Sequence, residues 1–259
     1  MLKATDLTAS LGARRVLHGI SLTCAPGTLT AIVGPNGSGK TTLLRALSGD
    51  LPYGGTARLN DTDIARASPG LLAELRGVLA QSTQMAFAFT VLEIVRLGLV
   101  NGGSDARAVE ALGRVGLAGY EGRPVHELSG GEQARVHLAR VLAQVWQPVQ
   151  ADGPRWLFLD EPVAALDIGH QLGVMRLARR FADQGGGVLA VMHDLNLSSM
   201  FADRIILLHE GRIIASGPPA EVLTDRNLSH AYGCELRVNT APPGGTWLVP
   251  QAASLQSAS

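Results

Sequence analysis

Eight residues, Gly34-Pro35-Asn36-Gly37-Ser38-Gly39-Lys40-Thr41, follow the pattern G-x-x-x-x-G-K-[ST] and constrain this chain more than any other stretch. The short apolar run Leu29–Val33 leads into them, and a helical pattern over 41–47 leads out. Strand, glycine-rich loop and helix in that order cradle phosphate. The glycines let backbone N–H groups converge on phosphate oxygens, and the helix N-terminus adds positive potential. Lys40 is expected to reach the β- and γ-phosphates of a nucleotide and the Thr41 hydroxyl to ligate Mg²⁺, with Thr42 completing the set. A glycine-rich turn met by chance would not need this context on both sides, so 34–42 reads as a nucleotide phosphate site.

A second apolar run, Trp156-Leu157-Phe158-Leu159, ends in Asp160-Glu161. Ligands of open α/β sheets gather at the carboxyl ends of strands. Asp160 can hold the Mg²⁺ shell there, and Glu161 can polarise an attacking water as general base. Alone, an acidic pair after a strand is a solvated loop start; beside a phosphate loop it signals hydrolysis of a Mg²⁺-nucleotide. A third stretch, Leu128-Ser129-Gly130-Gly131-Glu132-Gln133, opens a helix bearing Val136, Ala139, Arg140 and Leu142. Ser129 with Glu132 fits a capping box, and the same N-terminus offers N–H groups and a hydroxyl to an anion. Both roles can coincide, but a second anion site in one chain needs a reason.

Around these stretches the pattern is mixed. Alternation at Val16, Ile20 and Leu22, with turns at Gly12 and Pro26-Gly27, predicts an antiparallel β region. Residues 90–147 turn helical, broken at Gly102-Gly103 and Gly116, and 187–192 repeat the buried-strand pattern. Residues 205–216 read as a hairpin turning at Glu210-Gly211, with a short helix opened by Pro218-Pro219. Buried strands separated by helices imply a parallel sheet covered on both faces. The expected fold is α/β: a P-loop NTPase core with an antiparallel β flank and an inserted helical subdomain at about 86–150. One domain, 1–259, is expected, with a small polar tail at 252–259 that frays.

Composition narrows the function. Lys+Arg and Asp+Glu are each 22, so net charge is zero, and broad attraction to nucleic acid or anionic lipid has no support. Lys3 and Lys40 are the only lysines, which makes the second conspicuous. Cys24 and Cys234 are far apart and in no metal-ligand spacing, which fits a reducing cytosol. No apolar run approaches the ~18–20 residues that span a bilayer, and residues 1–6 lack the apolar core of a signal. Any link to a membrane is expected through a partner.

In their order these motifs resemble the ATP-binding cassette (ABC) ATPases over nearly the whole chain. The family's signature motif matches Leu128-Ser129-Gly130-Gly131-Glu132-Gln133 and its D-loop matches Ala165-Leu166-Asp167. Its Q-loop glutamine matches Gln81, which follows Val78-Leu79-Ala80, and its switch histidine matches His193. The resemblance implies a head-to-tail homodimer with two shared ATP sites. Ser129, Gly130, Gly131 and Glu132 of one copy would close on ATP held by the other's phosphate loop, which supplies the missing reason. It further implies that Gln81 shares Mg²⁺ with Thr41 and Asp160, that Gln81, Glu161 and His193 are catalytic, and that Asp167 crosses the dimer interface. Two departures stand out. Family members place an aromatic residue about 23 positions before the loop to stack on adenine, where this chain has Leu11; adenine stacking is then weak or supplied elsewhere. Pro162-Val163-Ala164-Ala165 replaces the usual Thr-Ser step, a change that catalysis should survive.

A single cassette without a membrane span resembles the ATPase subunit of a bacterial importer. That implies two permease subunits docked near residues 81–98, where Met85, Phe87, Phe89 and Val91 read equally as docking surface or core. Gln81-Ser82, Ala86-Phe87-Ala88-Phe89-Thr90-Val91 and the insertion at 147–155 resemble haem importer ATPases. The segments at 193–197 and 217–223 are shared with iron-siderophore and cobalamin importers, the alternative cargoes. The implied role is ATP hydrolysis at the cytoplasmic face of the inner membrane, energising uptake of haem delivered by a periplasmic haem-binding protein. A non-transport ABC ATPase would carry long heptad arms, or two cassettes with a charged linker, or a basic surface for nucleic acid; this sequence has none of them.

Overall fold

The computed structural model describes residues 1–81, 89–100, 102–241, 243–246 and 248. The chain opens as a hairpin of β1 (Leu2–Leu11) and β2 (Arg14–Cys24), closed by the pair Leu11 and Arg14. In β1 the buried residues Leu2, Ala4, Leu7 and Ala9 break strict alternation by one position. A bulge absorbs the extra residue: Asp6 has a φ of 49° and the register shifts between Ala4 and Leu7, so all four side chains keep the core face. The next strand, β3 (Leu29–Val33), is buried at every position and leads through the glycine loop into α1 (Lys40–Ser48). β4 (Gly54–Leu59) pairs antiparallel with β1 and with the short β5 (Thr62–Asp63), giving a four-stranded sheet in the order β2-β1-β4-β5.

After α2 (Pro69–Leu75), capped by the Ser68 side chain, comes β6 (Arg76–Leu79). The expected helical region resolves into α3 (Val91–Arg96), α4 (Asp105–Arg114) and α5 (Gly130–Gln144), with a single 3-10 turn at Val125–Glu127. It ends earlier than the sequence pattern suggested. The insertion at 147–155 instead folds as a small hairpin of β7 (Val149–Gln150) and β8 (Gly153–Pro154). Arg155 is buried beneath it, held by Gln150 and Asp152 at 2.7 Å each.

The remaining elements are β9 (Trp156–Asp160), α6 (Ile168–Asp183), β10 (Gly187–Val191), α7 (Leu195–Phe201), β11 (Arg204–His209), β12 (Arg212–Gly217), α8 (Pro219–Val222) and α9 (Asp225–Tyr232). They complete a six-stranded sheet in the order β12-β11-β3-β10-β9-β6. All its pairings are parallel except β11 with β12. Parallel strands covered on both faces read as continuous apolar runs, which is why β3, β9 and β10 stood out. Alternate residues serve opposite layers. Ile32, Phe158 and Leu189 pack with α1 and the antiparallel sheet, while Ala31, Leu159 and Ala190 pack with α6 and the helices of 91–144.

Ser82, Met85, Ala86, Phe87, Ala88 and the tail at 252–259 lie outside the described residues. Of the apolar residues near the expected permease groove, Val91 is fully buried and belongs to the core, Phe89 is half-buried against it, and Leu97 is 65% exposed. Among the described residues no helix is long and apolar enough to cross a membrane.

Candidate active site

The loop between β3 and α1 takes a path open only to glycine at its first turn. Gly34 has a φ of 148°, and a Cβ there would lie 2.0 Å from the Leu208 carbonyl of β11. Pro35, Asn36, Gly37, Ser38 and Gly39 carry the chain to α1, whose N-terminus no side chain caps. Its first N–H groups are therefore not taken by a capping residue. Lys40 is buried, and its ammonium donates to the carbonyls of Gly34 (2.9 Å) and Pro35 (3.0 Å). Burial lowers its pKa, opposed by the carboxylates of Glu161 and Asp160. The Ser38 hydroxyl is buried without a hydrogen-bond partner. An orphaned donor in a loop of converging N–H groups is a fit for phosphate oxygens.

Asp160 ends β9, and its Oδ1 accepts from the Thr41 hydroxyl at 3.1 Å. Burial pushes the Asp160 carboxyl above the usual aspartate value, with the Thr41 hydrogen bond pulling the other way and the neighbouring Glu161 charge adding to the rise. Hydroxyl and carboxylate are hard oxygen donors suited to Mg²⁺, which retains waters and phosphate oxygens and needs few protein ligands. No cluster of three or more His, Cys, Asp or Glu able to hold a metal occurs among the described residues.

Three adjacent parallel strands deliver the rest. Glu161 follows β9, His193 follows β10 by two residues, and Gln81 follows β6 by two. Glu161 has a left-handed φ of 51°, and its N–H donates to the Val191 carbonyl of β10 (3.1 Å). That conformation turns its carboxylate between two neighbours. Gln81 Nε2 donates to Oε2 at 2.9 Å, and His193 Nε2 lies 2.5 Å from Oε1. A cavity of about 710 Å³ joins this trio to Lys40, Thr41 and Thr42.

The signature residues do not line that cavity. Ser129 caps α5 in a full capping box: its hydroxyl accepts from the Glu132 N–H (3.3 Å) and donates to Glu132 Oε2 (2.7 Å), which also accepts from the Ser129 N–H (2.8 Å). Those bonds hold the Glu132 carboxyl below the usual glutamate range. Gly130 and Gly131 form the first turn of α5, and Gly131 sits so close to the D-loop that a Cβ would meet the Ala165 carbonyl at 3.1 Å. Asp167 caps α6, accepting from the His170 N–H (2.9 Å) and lying 2.8 Å from its ring Nδ1. Of the two glycine-rich helix starts, only the uncapped one of α1 lies in the cavity; that of α5 is closed by its own capping box.

Four contributors escaped the sequence reading. Arg14 and Val16 of β2 line the cavity with Leu11. The half-buried Tyr232, on the last helix, lines a neighbouring cavity together with Pro35, Asn36, Gly37 and Ser38 of the loop. Arg140 of α5 donates to the Val78 carbonyl (3.2 Å), tying the signature helix to the strand that ends at Gln81. No local pattern marks such contacts, because each joins residues distant in the chain.

The sequence model of the family described as ABC transporter matches residues 17–164. A relative from Jannaschia sp. (strain CCS1), named hemin import ATP-binding protein HmuV, is 60% identical over 257 residues, covering 98% of this chain and 95% of its own. The relative of the same name from Rhizobium meliloti (strain 1021) is 56% identical over 98% of this chain and 100% of its own. Among solved structures, the ADP conformation of MJ1267, an ATP-binding cassette of an ABC transporter, superposes with a TM-score of 0.77 at 25% identity, covering 91% of this chain and 99% of that one. The dimeric post-hydrolysis state of the cassette MJ0796 bound to ADP and Pi gives 0.74 at 27% identity, covering 85% and 99%. With its phosphate loop, carboxylates and capped signature helix assembled on this fold, the chain belongs to the ABC transporter family as an ATP-hydrolysing cassette.

Proposed function

We propose that this cassette is the ATPase subunit of an importer that carries haem across the inner membrane. Gly34, Pro35, Asn36, Gly37, Ser38, Gly39, Lys40, Thr41 and Thr42 hold the phosphates. Thr41, Asp160 and Gln81 would hold Mg²⁺, which would supply Lewis-acid stabilisation of the charge that develops on the transferring phosphoryl group. Glu161 takes the proton of the water that attacks the γ-phosphorus; the bond to the β-phosphate oxygen breaks, and ADP and phosphate leave. His193 and Gln81 orient Glu161 and the water. Ser129, Gly130, Gly131 and Glu132 of a second copy close the site, and Asp167 lies at the interface of that homodimer. Two permease subunits bind the dimer at the cytoplasmic face, and a periplasmic haem-binding protein supplies cargo through them; nucleic acid takes no part.

What supports hydrolysis above all is the Glu161 carboxylate held between Gln81 and His193 beside the Thr41–Asp160 pair. What supports haem is identity of 56–60% over 98% of the chain to proteins named for hemin import. The test is ATP hydrolysis by the chain assembled with its permease in lipid vesicles. The binding protein is added empty, then loaded with haem, an iron-siderophore or cobalamin. Stimulation by the haem-loaded form alone is expected; stimulation by another cargo alone overturns the haem assignment and keeps the importer.

A further inference from the structure

The inference rests on the nucleotide reading of the cavity and concerns what holds the base. Phosphates seated on residues 34–41 leave the base one wall not occupied by Gln81, Glu161 or His193: the turn of the β1–β2 hairpin, which contributes Leu11, Arg14 and Val16. Leu11 and Arg14 are directly opposed across the hairpin, joined by a two-residue turn with Gly12 at a φ of 58°. Directly opposed residues share a face, with Cβ atoms about 5 Å apart. Val16 stands against the phosphate loop itself, its Cγ1 3.3 Å from where a Cβ on Gly39 would lie. No Phe, Tyr or Trp side chain lines this cavity among the described residues.

Arg14 is exposed and, among the described residues, has no hydrogen-bond or ion-pair partner. Many other arginines are engaged: Arg155 with Asp152, Arg96 with Asp105, Arg179 with Asp183 and Asp203. A guanidinium is flat, delocalised and weakly hydrated, so it stacks on π faces in a way an ammonium does not.

We propose that Arg14 is the base-holding residue of this cassette: its guanidinium plane stacks on the purine, with Leu11 and Val16 as the apolar remainder of the subsite. Such a subsite reads the face of the ring. Adenine and guanine differ at their edges, and apolar walls reject an edge difference only weakly. GTP is then a substrate alongside ATP.

Steady-state hydrolysis in the permease-bound assembly tests this, with ATP and GTP, for wild type, Arg14→Ala, Arg14→Lys, and Arg14→Ala combined with Leu11→Tyr. Arg14→Ala is expected to raise KM for ATP about 5- to 30-fold, the size of one stacking contact, with kcat within about twofold. Arg14→Lys should behave like Arg14→Ala. The added tyrosine ring should restore KM, which also shows that the hairpin still folds. Wild-type KM for GTP should lie within about tenfold of that for ATP. An unchanged KM in Arg14→Ala overturns the proposal. So does full rescue by lysine, which would make the contact one of charge, or a preference for ATP beyond about a hundredfold. Wild type that hydrolyses neither nucleotide overturns the hydrolase reading and this inference with it; turnover indifferent to Arg14→Ala overturns this inference alone.

Discussion

Glu161 is gripped on both carboxylate oxygens, so its exchange for an isosteric amide tests chemistry with little disturbance of shape. Glu161→Gln is expected to lower kcat by about 10²- to 10⁴-fold, the range of a general base, while a direct titration still finds nucleotide affinity near wild type. Turnover close to wild type would falsify its role. The two thiols make a second residue-scale contrast. Burial pushes Cys24 up to about 11, whereas Cys234 is exposed. At about pH 8 a thiol reagent should modify one cysteine per native chain and two after denaturation, counted by intact mass. Ionising Cys24 is costlier in the folded state, so its contribution to stability is whole at neutral pH and fades as pH climbs through 9 towards 11. Lys40, Asp160 and Ser129 were legible because their motifs are runs of consecutive residues. Arg14 and Tyr232 were not, because their neighbours come from the far side of the fold.

At the scale of elements, α5 depends on its first turn. Ser129→Ala removes a capping side chain, expected to cost about 1 kcal/mol and to lower Tm by about 2–4 °C in a calorimetric scan. The Glu132 carboxylate of the same box has its pKa depressed in the folded chain. Its stabilisation is therefore present above the ordinary glutamate pKa and is lost as pH falls through the depressed value. Melting wild type and Glu132→Ala from pH 7 down to pH 3 should show a Tm gap that narrows below about pH 4; a gap that widens in acid contradicts the assignment. Which elements could be read follows the same physics. β3, β9 and β10 are buried on both faces and announce themselves as unbroken apolar runs. β4, β5 and α2 are short and half-exposed, and they passed unmarked. In β1 the Asp6 bulge hides a regular alternation from anyone counting by twos.

For the whole molecule, the phosphate loop and the signature helix share no cavity, and the proposed homodimer is what would bring them together. Glu161→Gln with ATP is expected to shift light scattering from one chain to two, since the substrate persists between the copies. Lys40→Ala under the same conditions should stay single, having lost the phosphate grip. The order of elements and the α/β class were legible from the chain alone, because each strand and motif is local. The pairing of β3 with both β10 and β11 was not, because strand order is set by long-range packing. One long-range contact matters for anyone who edits this protein. Tyr232 of α9 shares a cavity wall with Pro35, Asn36, Gly37 and Ser38, so α9 braces the phosphate loop as a keel and is not trailing chain. A purification handle fused beyond residue 246 leaves the brace intact, whereas a trimmed version ending before 232 would hand the nucleotide a slackened loop.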